Sequence, residues 1–158
     1  AKNPDNIAEN YAIRGRAKAV AGDYEAALAD SNHAVELDAT NIYNFLNRAD
    51  VYRMMGEREK ALADLEKSQE IDAKNPYIYK MRGEIYSEMG EKEAALAAYK
   101  EYWKQAPNAS DIPDEYMQEV DAAAYDKIVK EREKKEQEKK EKEAAKKDAS
   151  ENKMGEKP

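Results

Sequence analysis

Gly22, Gly56 and Gly90 stand 34 residues apart, and the same step links Ala27, Ala61 and Ala95, and Leu28, Leu62 and Leu96. No other feature restricts the fold as strongly. A fixed period of this length marks a solenoid, in which each unit buries its apolar face only against its neighbours. The units cover about residues 8–41, 42–75 and 76–109.

Each unit reads as two helices. Asn3 can cap the first, and Pro4 suits a first helical turn. From there to Ala21 the positions Ala8, Tyr11, Ala12, Gly15, Ala19 and Val20 recur at helical spacing. Gly22 ends this helix, since the residue after a helix often needs a positive φ, which glycine reaches without steric cost. A second helix is predicted over about 24–37, and Asp38-Ala39-Thr40-Asn41 turns the chain into the next unit. The pattern predicts further helices near 42–55 and 58–71. The third unit opens at Pro76, runs past Gly90 to about Gln105 and breaks at Pro107. Val, Ile and Thr are sparse and never alternate with polar residues, so no strand is expected.

At these residues the chain resembles the tetratricopeptide repeat (TPR) family. That family carries a bulky residue, a small one four later, an aromatic three beyond, a turn Gly, an Ala, an aromatic, another Ala and a Pro. The first unit places Tyr11, Gly15, Lys18, Gly22, Ala27, Ser31, Ala34 and Ala39 there. The second has Phe45, Ala49, Tyr52, Gly56, Ala61, Leu65, Ser68 and Ala73; the third has Tyr79, Gly83, Tyr86, Gly90, Ala95, Tyr99, Tyr102 and Pro107. Lys18 departs from the usual aromatic, and Tyr102 stands where a small residue is usual, which implies a looser last contact. The resemblance implies an all-α, right-handed solenoid of three helix-turn-helix repeats followed by a long seventh helix.

Residue size carries the same reading without the family. Gly15, Ala27, Ala49, Ala61, Gly83 and Ala95 let paired helices approach; Tyr11, Phe45, Tyr52, Tyr79 and Tyr86 fill the gaps between hairpins. Burying one such ring contributes roughly 1.5–3 kcal/mol, against roughly 0.5–1.5 for a cap or a good exposed ion pair. Stacking therefore holds the array.

After Pro107, a stripe of Met117, Val120, Ala124 and Ile128 predicts a capping helix over about 112–129, closing a domain of residues 1–129 against Trp103 and Tyr99. Beyond Val129 the stripe stops, but strong helix formers continue. Glu131, Glu136, Glu138 and Glu143 each precede a Lys by four residues, which supports a solvated helical extension fraying to a disordered tail over 148–158. Without a sustained apolar seam it is not expected to form a coiled coil.

Composition narrows the function classes. With no Cys, disulfides, thiolate chemistry and Cys-based zinc sites are excluded. Residues 130–158 hold 11 Lys/Arg and 9 Asp/Glu, a balance of +2, and the rest hold 16 and 25, a balance of −9. A body this acidic repels phosphate backbones, so no nucleic-acid partner is expected. No apolar run spans a bilayer, so no membrane insertion is expected. The chain reads as soluble, either cytoplasmic or exported with a signal peptide removed before Ala1. The single His33 faces outward on its helix and reads as a surface residue, so no triad and no metal site is expected and no cofactor is called for. Asp111, Asp114 and Glu115 read as favourable charge at a helix N-terminus rather than a cation site. Asn108-Ala109-Ser110 fits a glycosylation acceptor, relevant only in a secretory pathway.

What remains is a surface. In the family the first helix of each hairpin lines a concave groove for a partner peptide or helix. Carried over, those positions are Glu9, Ala12, Ile13, Arg16, Ala19 and Val20; Tyr43, Leu46, Asn47, Asp50, Arg53 and Met54; and Tyr77, Lys80, Met81, Glu84 and Ser87. Tyr43 and Tyr77 lie one repeat apart, with Leu46, Met54 and Met81 among polar groups, and interfaces favour aromatic, Met and Arg residues. Ile13, Leu46 and Met81 equally suit packing between repeats. One version of the groove clamps the acidic C-termini of heat-shock chaperones with Lys and Asn on the first helix and Lys and Arg on the fifth. Here Ala12, Arg16, Tyr77 and Met81 hold those places and only Asn47 matches, so a chaperone-tail receptor is not expected.

The leading expectation is a non-enzymatic protein–protein interaction module or scaffold. The alternative is a self-associating structural protein using its C-terminal helix, a homo-oligomer; an enzyme or its regulatory subunit comes third. The register itself is testable. Ala61→Trp should unfold the array through overpacking, and a normal melting curve for that variant would contradict it.

Overall fold

The computed structural model describes the backbone of residues 4–155 and the side chains of residues 7–146. The chain divides into two compact units, residues 1–112 and 113–158. The first holds six helices: α1 (Pro4–Val20), α2 (Tyr24–Leu37), α3 (Ile42–Met54), α4 (Arg58–Ile71), α5 (Pro76–Glu88) and α6 (Lys92–Gln105). The second holds α7 (Asp114–Val120) and α8 (Ala122–Gly155). Among the described residues there is no strand. The expected capping residue Asn3 lies outside the described residues, and Pro4 is the first residue of α1.

The hairpins are α1–α2, α3–α4 and α5–α6, and each packs on the next. Their turns share one device. Gly22, Gly56 and Gly90 take φ values of 85°, 79° and 78°, and the following N–H reaches back to close the helix end, as Asp23 does to the Lys18 carbonyl at 3.0 Å. A side chain there would strain the backbone, which is why only glycine marks the period.

Inside the hairpins, size complementarity replaces a uniform small-residue seam. A Cβ added to Gly15 would stand 2.6 Å from Ser31 Oγ, and one added to Gly83 would stand 2.6 Å from the Tyr99 ring. Ala49 and Leu65, fully buried, occupy the equivalent places of the middle hairpin. Tyr99, the largest fully buried side chain, fits only because Gly83 yields the space.

Three features alter the expectations. Tyr102 does not leave a loose contact: it is buried, and its hydroxyl donates to Asp111 at 2.8 Å. The predicted continuous helix from about 112 onward is broken at Asp121, giving eight helices rather than seven among the described residues. Asp121 takes an extended backbone (φ −156°, ψ 97°), and its carboxylate accepts the Ala124 N–H at 2.9 Å. Asp is a strong N-cap and a poor interior residue, so it ends one helix and starts the next. Within this second unit, Arg132 donates to both Asp114 oxygens at 2.9 and 2.7 Å. The tail expected to be disordered from 148 is helical to Gly155, and residues 156–158 lie outside the described residues. Of the four expected Glu–Lys pairs, Glu136–Lys140 closes at 2.8 Å.

An ion-pair ladder reinforces the hairpins. Arg14 donates to both oxygens of Asp30 at 2.6 and 2.7 Å, and Arg48 to both of Asp64 at 2.8 and 2.7 Å, one repeat on. Lys18, in the place of an aromatic, joins the first pair at 2.8 Å. In the third repeat Ala98 stands at the carboxylate position, and Arg82 turns to Gln69 at 2.6 Å.

The bonds from Arg14 hold the Asp30 carboxyl at about 2, against the opposing pull of burial, and Lys18 helps. The folded-state value thus lies below the ordinary 3.8. The pairing therefore stabilises the fold above that pH and is lost as pH falls toward 2. Arg14 is 57% exposed, so solvent screening reduces the gain to about 1–2 kcal/mol. Asp30→Asn should cost that much at pH 7 in urea unfolding, and the difference from wild type should shrink steadily as pH falls from about 4 to about 2. A difference unchanged across the acid range would contradict the pairing.

Candidate functional site

The first helices of the three hairpins place their inward-facing residues together because each turns through the same register. Two caps set that register. Asn41 and Asn75, one repeat apart, accept the N–H of Tyr43 and of Tyr77, each at 3.0 Å. Each tyrosine thus sits in the first turn of α3 or α5 with its backbone tied to the cap, and both rings stay exposed, at 54% and 58%. Asn41 and Asn75 repeat at the same spacing as the turn glycines, which is the trace these caps leave in the sequence.

A cleft of about 330 Å³ opens between these helices, lined by Arg16, Tyr43, Leu46, Asn47, Asp50, Tyr77 and Met81. Leu46 is buried and Met81 half-buried, so the cleft has an apolar floor between two exposed rings. Asn47 Nδ2 donates to the Tyr43 carbonyl at 2.8 Å, which fixes the amide at the cleft edge.

Charge runs along one side. Asp50 has a side chain only 7% exposed and accepts from Arg16 Nε at 2.6 Å and from Arg53 Nη2 at 3.3 Å. Arg53 then reaches Glu84 at 3.3 Å and Glu88 at 2.9 Å, joining α3 to α5. Burial weakens the Arg53 charge, but the fields of Glu84, Asp50 and Glu88 outweigh it and raise the group above its ordinary value. Lys80 pairs with Asp111 and lies 3.9 Å from Glu84. The bond that the Lys80 ammonium donates to Asp111 raises it despite partial burial. Asp111 thus belongs to this network; Asp114 and Glu115 occupy the first turn of α7.

The other expected positions divide. Arg53, Lys80 and Glu84 flank the cleft through these ion pairs without lining it. Met54 packs with Met55 against Ala19, Ala27 and Val51. Ala12 and Ala19 are fully buried, whereas Ile13 and Val20 are exposed on α1, and Glu9 and Ser87 also lie outside the cleft. His33 packs edge-on to Tyr11 with ring centroids 4.5 Å apart and has Glu36 3.8 Å away. Among the described residues no three His, Asp or Glu side chains converge to hold a metal, and no helix is long and apolar enough to cross a membrane.

Residues 43–75 and 77–108 match the family model of the tetratricopeptide repeat. No curated protein sequence matches the chain. Among solved structures, the chain is similar to the TPR domain of Arabidopsis OM64, at 22% identity over 68% of this chain and 89% of that one, with a TM-score of 0.61. It is also similar to the first TPR of Spaghetti (RPAP3) bound to the HSP90 peptide SRMEEVD, at 19% identity over 76% and 94% of the two chains, with a TM-score of 0.65. The type III secretion translocator chaperone SycD of Yersinia enterocolitica follows at 19% identity over 81% and 95%, with a TM-score of 0.61.

Arg53 joins two repeats while remaining half-buried. Arg53→Met should therefore leave Asp50 and Glu84 short of a partner and lower stability by about 2–3 kcal/mol. Thermal unfolding checks this, and an unchanged midpoint would show that the network contributes nothing.

Proposed function

We propose that this chain, whose residues 43–75 and 77–108 match the tetratricopeptide repeat family, is a non-enzymatic interaction module holding a partner peptide in the cleft between α1, α3 and α5. The observation that carries the reading is the pair of capped, exposed tyrosines, Tyr43 and Tyr77, over the apolar floor of Leu46 and Met81. Large rings left in water beside apolar side chains are what an interface centre needs, since they desolvate at little entropic cost. A rigid helical frame holds them, so binding need not order the site first. In the similar Spaghetti domain, a bound peptide accompanies the same fold.

The double variant Tyr43→Ala/Tyr77→Ala removes both rings without touching the core. A partner recovered by the wild type should bind it at least about tenfold more weakly, because each ring sits where interface anchors sit. Equal binding would exclude this cleft.

A further inference from the structure

We infer that the cleft selects an uncharged, extended segment anchored by a bulky apolar side chain, and that it turns away acidic segments. This deepens the peptide-groove reading and rests on it. Each of the three cations on or beside the cleft is paired with the chain's own carboxylates, Arg16 through its Nε with the side chain 57% exposed. Arg16 is bound by Asp50, Arg53 by Asp50, Glu84 and Glu88, and Lys80 by Asp111. Asp50 is almost fully buried, so an incoming carboxylate would compete for Arg16 beside a fixed negative charge. The chain outside residues 130–158, at a balance of −9, adds repulsion. A basic segment gains little, because the one carboxylate of the cleft already serves two guanidinium groups.

Recognition is then left to uncharged contacts. Tyr43, Tyr77, Leu46 and Met81 supply apolar surface. Asn47 uses an N–H on the Tyr43 carbonyl, and its Oδ1, with no partner among the described residues, is an acceptor for a peptide N–H. At about 330 Å³ the cleft lies at the small end of binding pockets, which run from about 300 to 1,000 Å³. That is room for an anchoring side chain or two rather than a whole folded element.

The test is selection from a random linear peptide library on the full-length wild type, with the Tyr43→Ala/Tyr77→Ala variant as control. Peptides retained only by the wild type should share a bulky apolar residue without flanking Asp or Glu. Their affinity should change less than about twofold between about 0.05 and 0.5 M salt. The acidic peptide SRMEEVD should bind the wild type at least about tenfold more weakly than it binds Asp50→Asn. That substitution frees Arg16 for a charge-assisted bond, while Arg53 stays paired with Glu84 and Glu88. If no peptide distinguishes wild type from control, the groove reading fails and this one with it. If the distinguishing peptides are acidic and released by salt, the groove stands and the inferred selectivity is wrong. Library composition decides the matter even if Asp50→Asn fails to fold.

Discussion

Close approach of the two helices in each hairpin is the constraint on which everything else depends. Where Gly15 meets Ser31 and Gly83 meets Tyr99, a single added carbon would sit at 2.6 Å, closer than packed atoms tolerate. That contact sets the spacing of the hairpin, the turn glycine sets its closure, and the neighbouring hairpin supplies the surface it buries. Because the same solution is used three times, the first helices arrive in equivalent orientations. Tyr43 and Tyr77 therefore flank one cleft rather than facing unrelated directions.

Charge serves the array more than it serves a ligand. The ladder of Arg14–Asp30 and Arg48–Asp64 runs within hairpins, and the Arg16–Asp50–Arg53–Glu84 chain runs between them. Arginine suits this work, since a planar fork can satisfy a carboxylate at two points and lie along an aromatic face. Arg48 does both, its guanidinium carbon standing 5.7 Å from the centre of the Phe45 ring. The consequence for function is subtractive: cations that a sequence would offer to an acidic partner are engaged internally.

Much of this was legible in the sequence because repetition exposes it. The turn glycines gave the period, and helices α2 and α4 fall over the expected residues 24–37 and 58–71. The groove residues could be named from their register, yet a register cannot say which arginine is paired. That Asp50 binds both Arg16 and Arg53 depends on side chains from two repeats meeting, a contact 34 residues apart in sequence. Outside the repeats the signal was weaker. The break at Asp121 followed from one capping carboxylate, which helical periodicity alone overrides, and the fit of Tyr102 depended on Asp111 in the loop beyond it.

The claim that stacking engages the groove's charges internally is tested most directly by a double-mutant cycle on Arg16 and Asp50, read by denaturant unfolding. Arg16→Met, Asp50→Asn and the pair should give a coupling free energy of about 1 kcal/mol or more across the boundary between the first two repeats. Strict additivity would mean that the two side chains do not meet in solution and that Arg16 stands open to a ligand.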